Sequence, residues 1–174
     1  LLRLRGTSVV SSDISAWICQ EILLYHGTIQ SAAEAVLEGV DPAKGAALKD
    51  FGRGFYTTTN LQQARHWAQV KATSDGDLAA VVEFEVCREE ISQFDVLFFV
   101  RSGSLAFDYW SFVKYCRTHV EKHSRRKVND WFDIVAGPVT GSWQKQTTIP
   151  DSDQISFHTE RAADVLNTSK KRIL

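Results

Sequence analysis

Residues 50–68 read DFGRGFYTTTNLQQARHWA. Gly54–Thr59 concentrates aromatic and β-branched side chains, which suit a pleated, half-buried surface, and is predicted as a strand. Asn60 followed by Gln63 has the form of a helix start, and a helix is predicted from Leu61 to about Ala72. A strand running straight into a capped helix is the unit from which the chain is read in both directions.

Upstream, Glu21–Tyr25, EILLY, is an apolar run of strand length ending at His26-Gly27-Thr28, where glycine permits a sharp turn. Ser31 with Glu34 makes a capping box, predicting a helix over Ser31–Glu38 that stops near Gly39, with a loop over Val40–Asp50. Downstream, Ser74-Asp75-Gly76-Asp77 is a turn cluster. Val82, Phe84 and Val86 then alternate with Glu83 and Glu85, as in a strand with one face buried. Phe94–Val100 is a further apolar strand, and Leu105 to about Glu121 spaces Phe112, Val113, Cys116 and Val120 as on a helix. Asp133–Val139, DIVAGPV, is expected as a buried strand closed by Gly-Pro. The last elements are a strand over Gln154–His158 and a helix over Thr159–Leu166. Strands outnumber helices without the strand-helix rhythm of a parallel sheet, so the expected fold class is α+β with a largely antiparallel sheet.

At 174 residues and 44% hydrophobic content the chain can bury one core, so one domain is expected over 21–168, between an N-terminal extension (1–20) and a basic tail (169–174). A formal charge of −1 provides no global field toward nucleic acid or an anionic membrane. Cys19, Cys87 and Cys116 form neither a disulfide framework nor a CxxC motif, which suggests reduced thiols in a cytoplasmic or nuclear protein. No apolar run approaches the roughly 20 residues of a membrane span, and residues 1–10 lack a signal peptide's apolar centre. Because the chain starts at Leu1 and contains no Met, it is expected to be an excerpt of a longer product or a processed form.

Three segments, in order, resemble the active-site motifs of diphtheria-toxin-type and poly(ADP-ribose)-polymerase-type ADP-ribosyltransferases. They are Leu24-Tyr25-His26-Gly27-Thr28, then Phe51-Gly52-Arg53-Gly54-Phe55-Tyr56-Thr57-Thr58, then Asp153-Gln154-Ile155-Ser156-Phe157. More closely, the run through LYHGT, DFGRGFYTTTNLQQARHWA, WFDIVAGPV and DQISFHTERAADVL resembles a poorly characterised bacterial and plant family of that superfamily, over most of 21–168. The resemblance implies an ADP-ribosyltransferase-like fold of two small sheets packed together, with flanking helices and an NAD+ cleft between the sheets. It also implies cleavage of the nicotinamide–ribose bond and transfer of one ADP-ribose to a protein or nucleic-acid acceptor, with some hydrolysis. NAD+ is then a co-substrate and no metal is required.

Residue by residue, the resemblance gives His26 a hydrogen bond to the adenosine-side ribose and Gly27, next to Thr28, backbone contacts to the nicotinamide amide. Tyr56 would stack on nicotinamide, a contact worth about 0.5–1.5 kcal/mol beyond area burial. Trp67 falls where a second family tyrosine flanks nicotinamide, and is otherwise a core aromatic on its helix. Arg53 could reach the pyrophosphate or stay a solvated loop residue. Ala64 replaces a frequent family serine, so that anchor is missing.

Gln154 stands where polymer-forming members carry a glutamate facing the developing oxocarbenium. Losing that charge at roughly 4 Å and an effective dielectric near 20 removes up to about 4 kcal/mol, so chain elongation should suffer most. Asp153 is expected on the opposite strand face and Glu160 on the next helix, so neither replaces it directly. If Gln154 only accepts from the ribose, Gln154→Glu should hold or raise turnover, which is the expectation. If its NH2 serves a buried oxygen, turnover should fall.

His66, His119, His123 and His158 lack a convincing zinc spacing, although His119 and His123 lie one helical turn apart. Asp133 is expected as a structural cap rather than a cleft residue. The basic clusters Ser124–Lys127 and Lys170–Arg172 are solvated surface or contacts to a nucleic-acid acceptor. A monomer or weak oligomer without membrane association is expected. The rival to an enzyme is a noncatalytic module that holds NAD+ or ADP-ribose, or a protein-interaction domain on the same fold.

Overall fold

The computed structural model describes residues 21–101, 103–119 and 132–174. The expectations for residues 1–20 with Cys19, the helix end at Val120 and Glu121, His123, Ser124–Lys127 and Trp131 lie outside the described residues. The elements in order are β1 (Glu21–Ile29), α1 (Gln30–Glu38), a 3-10 turn (Pro42–Lys44), β2 (Phe55–Thr57), α2 (Leu61–Asp75), β3 (Ala79–Cys87) and α3 (Arg88–Ile91). Then come β4 (Val96–Phe98), α4 (Phe107–Thr118), β5 (Ile134–Ser142), β6 (Thr147–Phe157), α5 (Glu160–Thr168) and β7 (Lys170–Ile173).

The strands form two small sheets, ordered β1-β3-β7 and β2-β6-β5-β4. Every pairing is antiparallel except β4 with β5. The expected α+β class with two mostly antiparallel sheets is the class observed. Leu24, Val82, Phe84 and Val86 of the first sheet share one core with Phe55, Ile134 and Phe157 of the second and with α5. The far side of the first sheet is covered by α2 through Tyr25, Ala64, Ala68 and Val81. The far side of the second is covered by α4 through Tyr109, Trp110, Val113 and Val135. In β3 the alternation expected from sequence holds, with Val82, Phe84 and Val86 all at 0% exposure.

Several boundaries differ for physical reasons. β1 runs straight through His26-Gly27-Thr28 to Ile29 rather than turning there. The cap of α1 is Ile29, with no side-chain bond; Ser31 instead pairs with Asp77, whose carboxylate accepts from its N–H and hydroxyl. Asn60 does cap α2, accepting from the N–H groups of Gln62 and Gln63. That helix extends three residues past Ala72, to Asp75, and ends at Gly76 in the left-handed region, φ 70°. β5 passes through Gly137-Pro138, where a register shift accommodates proline's missing donor. The basic tail is strand β7, whose Arg172 and Lys170 pair across the sheet with Glu83 and Glu85 and whose Ile173 packs on the core. Among the described residues no helix is long and apolar enough to cross a membrane.

Candidate functional site

A cleft of about 590 Å³ opens beside the β1–β2 junction, and His26, Gly27, Tyr56, Trp67 and Gln154 all line it. These residues come from β1, β2, α2 and β6, so folding gathers the three motif segments at one place.

His26 lies on the inter-sheet side of β1 and stacks on Phe55, ring centroids 4.4 Å apart. Its Nδ1 is 2.7 Å from the Tyr56 carbonyl oxygen. A carbonyl can only accept, so Nδ1 carries the proton. Burial, and then the Lys71 charge, lower the His26 pKa to about 4 despite that bond. The ring is neutral at pH 7, and its Nε2 is an acceptor.

Tyr56 donates from its hydroxyl to the Gly52 carbonyl at 2.7 Å and accepts from the Phe51 N–H at 3.0 Å. Those bonds fix the ring, and burial raises its phenol well above the ordinary value.

Tyr25 pairs both backbone groups with Thr58. Two residues on, Gly27 therefore turns its N–H and C=O to the same edge of β1, which leaves β2 there. Lys71 Nζ donates to the Gly27 carbonyl at 2.8 Å. A Cβ at Gly27 would lie 2.0 Å from the Ala64 carbonyl oxygen, so glycine is needed for the close approach of α2 and not for a turn.

On α2 the packing face is Ala64, Ala68 and Ala72, while Trp67 is 40% exposed. The core-aromatic alternative for Trp67 therefore fails, and its indole borders the cleft.

Gln154 is 8% exposed. Its Nε2 donates to Asp50 Oδ2 at 2.9 Å and to the Pro138 carbonyl at 2.8 Å. The NH2 group thus serves buried oxygens, and the expectation that Gln154→Glu would hold or raise turnover is replaced by its opposite. Asp50 also accepts from Arg117 Nε and Nη2, at 2.9 and 2.5 Å, and from the Thr140 N–H at 2.9 Å. Sequence reasoning missed both Asp50 and Arg117. Asp50 closes a loop and Arg117 sits 67 residues later on a helix, with no shared spacing to link them.

Two expected contacts fall elsewhere. Thr28 is buried and lies outside the cleft lining. Arg53 also lies outside it and donates through Nη1 to the carbonyls of Ala43 and Gly45, holding the loop before β2. The cations that line the cleft are Lys44, Lys49, Lys71 and Arg117.

Asp153 points away from Gln154, as strand alternation requires, and accepts from the Thr58 hydroxyl and from the Thr59 N–H and hydroxyl. Glu160 is exposed at the start of α5. Asp133 is structural: it accepts from Asp95 N–H, the Thr159 hydroxyl and Arg161. His158 bonds Ser156 and the Arg53 carbonyl, and burial lowers its pKa to about 4. Among the described residues no group of three or more His, Cys, Asp or Glu could hold a metal ion.

Fold and cleft together define a two-sheet α+β domain with a cleft lined by residues of both sheets. The family model described as "Protein of unknown function (DUF3990)" matches residues 22–148, well over half of the chain, and the protein belongs to that family. The match covers His26, Asp50, Tyr56, Trp67 and Arg117 and stops before Gln154. A search of the curated proteins returns no match.

Proposed function

We propose that this domain binds NAD+ in the cleft, breaks its nicotinamide–ribose bond and transfers a single ADP-ribose to a protein or nucleic-acid acceptor, with some hydrolysis. The observation that carries this reading is the convergence of His26, Gly27, Tyr56, Trp67 and Gln154 on one cleft. Each offers what the ligand needs. Neutral His26 presents an acceptor to a ribose hydroxyl. Gly27 presents a donor and an acceptor at a strand edge, and its carbonyl has two lone pairs, so the Lys71 bond does not exhaust it. Tyr56 and Trp67 supply aromatic faces for the nicotinamide ring. Lys44, Lys49 and Lys71 bring positive charge suited to a pyrophosphate, the role the sequence suggested for Arg53.

Nicotinamide leaves as a neutral molecule and needs no general acid, so orientation and the electrostatics around the oxocarbenium carry the rate. With an amide rather than a carboxylate at position 154, transfer of single units is favoured over chain elongation. Incubating the protein with NAD+ and measuring free nicotinamide tests this directly. Release is expected, with NAD+ binding weakened in both His26→Ala and Tyr56→Ala; wild-type affinity in both variants would reject the site. One observation favours a second reading: the Asp50 carboxylate is fully engaged by protein donors and so does not itself face the ligand with a free lone pair. Thermal stabilisation by NAD+ without nicotinamide release would identify a binding module instead.

A further inference from the structure

We propose that Asp50, clamped by Arg117, is a positioning residue that locks the Gln154 amide with Oε1 presented to the cleft as an acceptor, so that the site selects a ligand group that donates a hydrogen bond. The assignment of nitrogen and oxygen in this amide is forced by chemistry. Nε2 lies 2.9 Å from a carboxylate oxygen and 2.8 Å from a proline carbonyl, and neither neighbour can donate. Flipping the amide would set Oε1 against two acceptors and break both bonds. In the observed orientation Oε1 accepts no hydrogen bond from any described residue, although the side chain is more than nine-tenths buried and lines the cleft. A buried acceptor in that position calls for a donor from outside the protein.

Asp50 cannot make the ligand contact itself. An ionised carboxylate offers about four lone-pair positions, and Arg117 Nε and Nη2, the Thr140 N–H and Gln154 Nε2 fill them. The loop before β2, α4, β5 and β6 therefore meet at one carboxylate on the cleft wall, where Asp50, Arg117, Thr140 and Gln154 all line the cleft, and that meeting fixes the orientation of the Gln154 amide. The donor it selects is a hydroxyl or an N–H; on the function proposed above, a hydroxyl of the nicotinamide-side ribose.

Two measurements on the whole protein test this. The first is melting temperature against pH for Gln154→Glu, which sets a second carboxyl against Asp50 and the Pro138 carbonyl. The variant is expected to melt below wild type at pH 8 and to approach it near pH 5, where the two carboxyls share a proton. Adding Asp50→Asn should abolish that pH dependence. The other charged or titratable groups at this spot are Arg117, Tyr56, Tyr109 and Cys116; burial raises both phenols, and it pushes the thiol to about 12. Neither the two phenols nor the thiol changes charge between pH 5 and 8. A pH-independent deficit in Gln154→Glu, or one unaffected by Asp50→Asn, would overturn the contact.

The second measurement is nicotinamide release per folded molecule. Asp50→Asn should lower kcat about tenfold or more while KM for NAD+ stays within about threefold; Arg117→Gln is added if the single variant does not fold. A purely structural Asp50 would lower stability and leave kcat unchanged, and that result overturns the positioning role. If wild type neither binds nor cleaves NAD+, the functional reading fails on its own, and the pH measurement decides the Asp50–Gln154 contact without it.

Discussion

His26 and His158 are both held neutral, with pKa values of about 4, mainly by burial. An exposed histidine in the unfolded chain titrates near 6.5. The folded value is the lower one, so this stabilisation is complete above about pH 6.5 and is lost as pH falls toward 4. In that window the unfolded chain binds up to two more protons, a slope of up to about 2.7 kcal/mol per pH unit. Urea denaturation at pH 7.5, 6 and 5 should show the fall, and His26→Ala, with one titrating ring fewer, should roughly halve the histidine contribution. Equal stability at all three pH values would contradict the buried, neutral state. Acidification would also turn the His26 Nε2 from acceptor to donor. The motif positions His26, Gly27, Tyr56, Trp67 and Gln154 were legible because their resemblance is local. Asp50 and Arg117 were not, because an isolated loop aspartate and a helix arginine each read as solvated until the fold brings them together. Arg53 misled for the opposite reason: its glycine-flanked setting suggests a ligand, while its partners are carbonyls eight and ten residues back.

Among the elements, the tightest fit is β1 against α2. The helix presents alanines to the strand, and a methyl group at Gly27 would meet helix backbone rather than a movable side chain. Overpacking of this kind typically costs about 1–3 kcal/mol, and backbone that cannot give way places Gly27→Ala at the upper end. Denaturant titration should register that loss; a variant as stable as wild type would mean that α2 shifts freely. Position 27 illustrates the limits of sequence reading, since a glycine after a histidine at a strand end suggests a turn just as well. The first half of β6, Thr147–Asp153, was not legible either, because it is polar, contains Pro150 and carries a positive φ at Asp151. Strand β7 was hidden by its lysines and arginine, whose charges are met across the sheet by Glu83 and Glu85 only after the chain has folded. Exposed pairs like these are worth about 0–1 kcal/mol each, so the strand relies on its ladder and on Ile173.

At the scale of the molecule, patterning was enough to anticipate the α+β class with largely antiparallel pairing, because the periodicity of the strands and the Asn60 cap of α2 are properties of short segments; the division into two small sheets was implied by the motif resemblance and not by periodicity. How the sheets meet is a property of the whole chain. Among the described residues one isolated backbone bridge joins them, Tyr25 to Thr58, with hydrogen bonds of 2.8 and 2.9 Å at the head of the cleft. A ligand held by both sheets stabilises the closed arrangement by mass action, about 2.7 kcal/mol at a concentration 100 times Kd. Amide hydrogen exchange should therefore slow at Tyr25 and Thr58 when NAD+ is added, by more than at Val82 and Val86 inside a single sheet. Equal slowing at all four would show the sheets moving as one body. The bridge also works as an indicator of cleft opening: its two amide protons can exchange with water only when the sheets part, so their rates would measure how often an empty site opens.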